Sequence, residues 1–389
     1  MLRGALILLS GLALGGLSAV SGLDRMARTD PAIAAQVPTR FASAALRTLG
    51  GQALAARRSA DAAAYGWHAI DRSPVNAEAV ALFAAGNLGG GNTPLAQRAF
   101  RLAGRMGWRV PITQAYWLNQ ALEARDYDAA AMRLDALLRQ QPTLVGQQAL
   151  IDPVERNPEA RAALVERLDL ETAWLGKYLN EVFDLPPEVL RQRGWVLVDA
   201  ARAGFEVGCD ASANLAAAMI HKRLYQEARE LWAAQCPEAG NALLGDEGFA
   251  ALNLQGARNP FGWQIVGNGD VLLSAVPLAA GNGQRLAIDG TPPVMRRFLA
   301  KLLLLASGRY QLSWLAGKND GKPSDKIRAA LSCKGQAEIW LEPQLDRASG
   351  RWFATTVVPA DCPEQRLSFA LAAGAGSVWL EDVSLDPIP

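Results

Sequence analysis

The stretch Leu95-Ala96-Gln97-Arg98-Ala99-Phe100-Arg101-Leu102-Ala103 places Ala96, Ala99, Phe100 and Ala103 at helical spacing, with polar residues between them. Apolar positions at i, i+3, i+4 and i+7 mark an amphipathic helix, here one whose buried seam is built from small side chains. The seam recurs: Ala62, Ala96 and Ala130 are separated by 34 residues each time, as are Tyr65, Ala99 and Arg133, while Ala69, Ala103 and Leu137 keep the same register. Pro74 and Pro142 stand two periods apart, with Trp108 at the midpoint. Two helices approach closely where Ala or Gly faces Ala at the crossing. A single helix pair cannot bury its apolar side, whereas three or more stacked pairs share a continuous core and leave a concave surface. The spacing therefore predicts an all-α helical solenoid in the front half of the chain.

Within that pattern Leu49-Gly50, Ala62, Ala69 and Pro74 form a first unit, and Ala96, Phe100 and Ala103 a second. Asp126-Tyr127-Asp128-Ala129-Ala130, Leu134 and Pro142 form a third. These residues resemble tetratricopeptide repeats. The large aromatic expected early in the first helix is missing, and Gly66 stands where a bulky residue usually packs. The resemblance implies a surface that holds a partner protein. After Pro142 the register is lost although helical patterns continue, and Leu224 to Trp232 again looks like the second helix of a unit. Residues 143–256 are read as a degenerate continuation or a separate helical domain. Trp67, Trp108, Trp117, Trp174, Trp195 and Trp232 lie on helical patterns and are expected in the core. His68 and His221 are expected at the surface or as caps.

Working toward the N-terminus, residues 24–42 read as a linker, and residues 1–23 as an export segment. Arg3 is followed by twenty uncharged residues, Gly4 to Leu23. That length suits an anchor in the bacterial inner membrane. It also suits a cleaved signal peptide, with Ala19-Val20-Ser21 as the small-x-small site. Either reading places the protein in the periplasm. Four cysteines permit three pairings. Cys209 with Cys236 and Cys333 with Cys362 is the favoured set, because two helical stretches of similar length, Ser212 to Lys222 and Tyr225 to Ala234, return the chain to its starting end. Four buried thiols are the alternative.

From Asn259 the pattern changes to short runs bounded by Gly, Pro, Asn and Asp, an all-β signal. Trp263 to Val266 and Val271 to Val276 flank Asn268-Gly269, a hairpin signature, and a second one, Asn282-Gly283, precedes Gln284 to Ile288. Phe298 to Leu305, Arg309 to Leu315, Lys326 to Cys333, Ala337 to Leu341, Trp352 to Val358, Arg366 to Leu371 and Ser377 to Leu385 complete the strands of a two-sheet jelly-roll sandwich over 257–389. Alternation puts Tyr310, Leu312 and Trp314 on the core face. It buries Ala337, Ile339 and Leu341 and turns Glu338 and Trp340 outward. Val378 and Leu380 point inward and Trp379 outward, with Val383 and Leu385 resuming the inward face if a bulge sits near Glu381-Asp382.

Asn259-Pro260-Phe261-Gly262-Trp263, Ser307-Gly308-Arg309-Tyr310-Gln311-Leu312 and Val378-Trp379-Leu380-Glu381-Asp382-Val383-Ser384-Leu385 give this last third a resemblance to carbohydrate-binding-module-like jelly rolls of the galactose-binding type. Flat aromatics cover the apolar face of a pyranose and neighbouring acids accept bonds from its hydroxyls. Trp340, Trp352, Trp379 and Glu338 are therefore the candidate ligand-binding residues. The resemblance also puts Asp382 forward as a structural calcium ligand.

Charge and motif content narrow the function classes. Lys plus Arg number 39 against 38 Asp plus Glu, which leaves no electrostatic footprint for nucleic acid. Two histidines, the absence of a CxxC pair, and no match to nucleophile-elbow, zinc-protease, phosphate-loop or dinucleotide motifs point to no cofactor and no catalytic residue. The leading expectation is an exported, non-catalytic scaffold whose helical array binds a partner protein and whose sandwich contacts polysaccharide or another subunit. That combination resembles components of bacterial envelope and exopolysaccharide assembly. Two alternatives stand beside it. One is a glycan hydrolase using a carboxylate pair at roughly 5–10 Å, with Glu338 and Glu381 the acids to test. The other is a protein-interaction module with a ligand-free sandwich.

Overall fold

A computed structural model describes residues 2–237, 244, 246–250, 252, 254, 260–267, 269–278, 283–333 and 335–389, with the side chains of 2–9 and 13 left out. The chain divides into two compact units, one of residues 1–167 with 171–174 and one of 168–170 with 175–389.

In the first unit α1 (Leu2–Met26) and α2 (Pro31–Ala34) precede three helix pairs, α3 (Ala44–Ala55) with α4 (Ser59–Arg72), α5 (Ala77–Gly89) with α6 (Thr93–Met106), and α7 (Pro111–Glu123) with α8 (Tyr127–Gln140). A 3-10 turn at Pro142–Gly146, α9 (Gln148–Arg156) and α10 (Pro158–Val165) follow. The second helix of each pair starts 34 residues after the last, at Ser59, Thr93 and Tyr127. The turn before it recurs in detail. Arg57, Gly91 and Arg125 all have positive φ, at 57°, 84° and 57°. The next N–H then bonds back five residues into the preceding helix, Arg58 to Ala53, Asn92 to Asn87 and Asp126 to Ala121, at 2.8–2.9 Å. Asn92 and Asp126 also cap the helices they introduce.

Ala62, Ala96, Ala103 and Ala130 are fully buried, as the seam requires. Gly66 is explained by close approach: a Cβ there would lie 2.4 Å from the Phe83 nitrogen, and one on Gly86 would lie 2.3 Å from the Ala63 nitrogen. The backbones of α4 and α5 touch, so no bulky side chain fits. Trp67 and Trp108 are exposed rather than core residues. The Trp108 ring lies at the surface with the Arg133 guanidinium 3.7 Å above its centre.

Residues 24–42, expected as a linker, are folded into this unit. Ala27, Ala34, Val37 and Ala42 are buried with Leu46, Ala69 and Ala79. The Asp24 carboxylate accepts the N–H groups of Ser43, Ala44 and Ala45 at 2.9–3.1 Å, capping α3 from the end of α1. Thr48 Oγ1 donates to the Ala27 carbonyl at 2.8 Å. Among the described residues no helix is long and apolar enough to cross a membrane.

The second unit opens with α11 (Leu175–Asn180), α12 (Pro187–Arg202), α13 (Cys209–His221) and α14 (Tyr225–Gln235). The α13–α14 turn repeats the earlier one: Arg223 has φ 64° and Leu224 N–H bonds to the Met219 carbonyl at 2.8 Å. Cys209 and Cys236 are bonded, their Cα atoms 5.1 Å apart, and Cys333 is bonded to Cys362 at 5.5 Å, the favoured pairing. Disulfides of this kind belong to extracellular or periplasmic surroundings.

The strands are β1 (Trp263–Ile265), β2 (Leu272–Pro277), β3 (Gln284–Asp289), β4 (Arg296–Leu303), β5 (Gly308–Gly317), β6 (Ile327–Cys333), β7 (Gln344–Leu345), β8 (Arg351–Val358), β9 (Gln365–Leu371) and β10 (Val378–Ile388). They form two antiparallel sheets, ordered β1-β4-β9-β6 and β2-β3-β10-β5-β8-β7. Tyr310, Leu312, Trp314, Val378, Leu380, Val383 and Leu385 lie in the core between them, and the β10 register shifts between Glu381 and Ser384 as a bulge there requires. Two strand expectations are corrected. β1 and β2 belong to different sheets, so the turn at Gly269 joins no hairpin. Residues 337–341 are not a strand: Ala337 and Ile339 are exposed, and an isolated bridge joins Trp340 to Ala330. Asn259, Asn268 and Asn282 lie outside the described residues.

Candidate ligand-binding surface of the sandwich

Directly paired residues of an antiparallel sheet point to the same side. Ile327, Leu367, Phe369, Leu299 and Leu303 fill the core. Their neighbours therefore form the outer side of the four-stranded sheet, in three rows across β4, β9 and β6. The first row is Arg297, Ala370 and Arg328; the second is Ala300, Ser368 and Ala330; the third is Leu302, Arg366 and Ser332. Trp340 bridges Ala330 and so extends the second row. Flanking hydrogen bonds, Leu331 N–H to the Ile339 carbonyl and Leu341 N–H to the Ala329 carbonyl, hold the segment beside β6. The floor of the surface consists of small side chains, with Ala330, Ala370 and Ser368 fully buried. Above that floor stand a half-buried tryptophan, three arginines and a glutamate.

Glu338 pairs with Arg297 at 3.0 Å and lies 3.5 Å from Ser368 Oγ. With Arg366, Gln336, Glu364 and Cys333 these two border a shallow groove of about 180 Å3. Cys333 brings its disulfide to the rim. Burial and a hydrogen bond to Glu364 push the Tyr225 hydroxyl up to about 12, so the tyrosine stays protonated and donates to that carboxylate. Glu338 and Trp340 thus share one surface, as read from the sequence, although the strand that was to carry them is replaced by an extended segment with one bridge.

The other candidates lie elsewhere. Trp379 is on the outer side of the six-stranded sheet, but the Arg285 guanidinium sits 4.2 Å over its ring and its Nε1 donates to the Lys318 carbonyl at 3.1 Å. A Cβ on Gly317 would lie 2.4 Å from the ring, and Arg285 is held by Glu381 at 2.8 Å. The indole is already stacked and packed. Trp352 pairs in register with the core residue Trp314 and packs against the core, so it faces inward. Asp382, at the β10 bulge with φ 50°, is paired with Arg351, which also donates to its carbonyl at 2.8 Å. Among the described residues no three metal-ligating side chains come together. The Asp382 carboxylate, put forward as a calcium ligand, fixes the bulge to Arg351 of β8.

Sequence reasoning missed Lys301. It follows Leu299 and precedes Leu303 on the core side of β4, is 4% exposed, and donates from Nζ to the Phe261 carbonyl at 2.6 Å. The Trp263 ring is 5.2 Å away. Burial lowers its pKa from 10.5 to about 8, opposed by the Asp246 carboxylate. The one signal was a charge inside the apolar run from Phe298 to Ala306.

No family model matches the sequence, and no curated protein matches it. Solved structures similar to part of the chain include TmCBM61 in complex with beta-1,4-galactotriose, 14% identical, covering 38% of this chain and 100% of that one with a TM-score of 0.26. A putative sugar-binding protein from Bacteroides thetaiotaomicron is 11% identical over 32% of this chain and 87% of its own, with a TM-score of 0.25. The accessory secretory protein 1, 2 and 3 structure of Streptococcus pneumoniae is 14% identical over 30% of this chain and 86% of that chain, with a TM-score of 0.22. Likenesses of this strength assign no ligand or activity.

Proposed function

We propose that the protein is an exported, non-catalytic adaptor. Its helical pairs, read as tetratricopeptide-like, dock a partner protein, and its jelly-roll-like sandwich contacts polysaccharide in envelope or exopolysaccharide assembly. The leading segment delivers the chain to the periplasm, as an inner-membrane tether or a removed signal. The observation that carries the polysaccharide half is the outer side of the four-stranded sheet, where Trp340 stands beside Glu338 and three arginines over a floor of small residues. A flat ring next to planar hydrogen-bonding groups matches the two faces of a sugar. The repeated turn at Arg57, Gly91 and Arg125 supports the array half. The carboxylates considered for hydrolysis, Glu338 and Glu381, project from the outer sides of opposite sheets. Packed sheets are themselves about 10 Å apart, so these two acids do not flank one glycosidic bond.

A glycan array probed with the full chain tests the polysaccharide half. Trp340→Ala is expected to lower binding at least tenfold, and Trp379→Ala to leave it unchanged because that ring is already covered. Binding to no glycan overturns this half of the reading.

A further inference from the structure

We propose that the outer side of the four-stranded sheet takes an anionic polysaccharide, one carrying uronate carboxylates, through Arg328 and Arg366 on either side of Trp340. The inference rests on the polysaccharide reading above and adds the class of sugar. Three guanidiniums and the paired Glu338 carboxylate crown the three rows, and a second carboxylate, Glu364, sits at the groove's rim bonded to the Tyr225 hydroxyl. Glu338 neutralises Arg297, whereas Arg328 and Arg366 have no ion pair among the described residues. On the outer side of the opposite sheet Arg285 is matched by Glu381 and Arg351 by Asp382, while Arg309 donates to the Pro389 carbonyl at 2.9 Å.

Arg328 and Arg366 sit in the outer two rows, and Arg366 pairs with Ser332, four residues along β6 from Arg328. At the rise of a strand that spacing is about 13 Å, enough to address carboxylates on separate sugars of one chain. Trp340 lies in the middle row, and its ring has no aromatic or cationic partner among the described residues. Guanidinium forks match carboxylates bidentately, and a pyranose ring between them covers the indole. A neutral glycan would leave two desolvated guanidiniums without counter-charge, which sets the preference.

The test is affinity electrophoresis of the full chain in gels containing polygalacturonate, or the same polymer fully methyl-esterified so that its stereochemistry is kept and its charge removed. Polygalacturonate is expected to retard the protein at concentrations at least tenfold below those of the ester, less strongly as salt rises. Arg328→Gln and Arg366→Gln are each expected to weaken retardation about fivefold and the double variant to abolish it, with melting curves unchanged. Arg347→Gln, an exposed arginine elsewhere on the sandwich, is the control. Equal retardation by both polymers overturns the charge preference and leaves the polysaccharide reading standing, whereas no retardation by either polymer together with an empty glycan array overturns both. Retardation by polygalacturonate that survives the double variant overturns the site. Arginine-dependent binding to phosphatidylglycerol vesicles with none to polygalacturonate identifies a lipid surface and overturns the proposal.

Discussion

Lys301 shows how one side chain ties local geometry to solution behaviour. Its pKa is depressed in the folded protein, from 10.5 to about 8, so between those values the unfolded chain binds the extra proton. Stability must therefore rise with pH across that window, and the neutral-pH cost of burying the charge is relieved. A shift of this size corresponds to about 3 kcal/mol. Urea unfolding at pH 7.5 and pH 10 is expected to show the wild type gaining on Lys301→Met over the interval. A pH-independent difference between the two would contradict the buried charge. The residues of the candidate surface were legible to different degrees. Glu338 and Trp340 followed from residue type, although the alternation that turned them outward is not kept, since Ala337 and Ile339 are exposed. Arg328 and Arg366 did not, because which arginines share a side depends on the β4-β9-β6 register, and pairing partners leave no mark in a single strand's sequence. Trp352 was placed with the candidates although Ala354 and Val358, on its own side of β8, are buried.

Among elements, the helix pairs were the most legible, since small residues every 34 positions are themselves the contact surface. The α4–α5 crossing is the tightest instance. Gly66→Ala drives a methyl into the Phe83 backbone and is expected to cost about 1–3 kcal/mol by overpacking. Gly51, in the same array with open space around its missing Cβ, supplies the contrast: Gly51→Ala is expected to stabilise by about 1 kcal/mol through helix propensity. Opposite signs in urea midpoints check both. The strand expected at 337–341 failed for a matching reason. Ala337, Ile339 and Leu341 alternate like a buried strand, yet the segment runs along the free edge of β6, where Leu341 alone reaches the core. Likewise an Asn-Gly turn fixes the local reversal, but not whether the strands on either side pair or part between two sheets.

For the whole molecule, both disulfides fall in the second unit and the first contains no cysteine. Closing loops of 27 and 29 residues stabilises by about 3–4 kcal/mol each on chain-entropy grounds. Reductant is therefore expected to raise hydrogen exchange in α13, α14 and the strands while leaving α3 to α8 protected. Faster exchange throughout would mean that the units unfold as one. At the other end, Asp24 grips three successive amides at the start of α3, with no slack chain between the leading helix and the array. Traction applied along that helix would be borne at once by the first pair, which makes α1 a strut and not a leash.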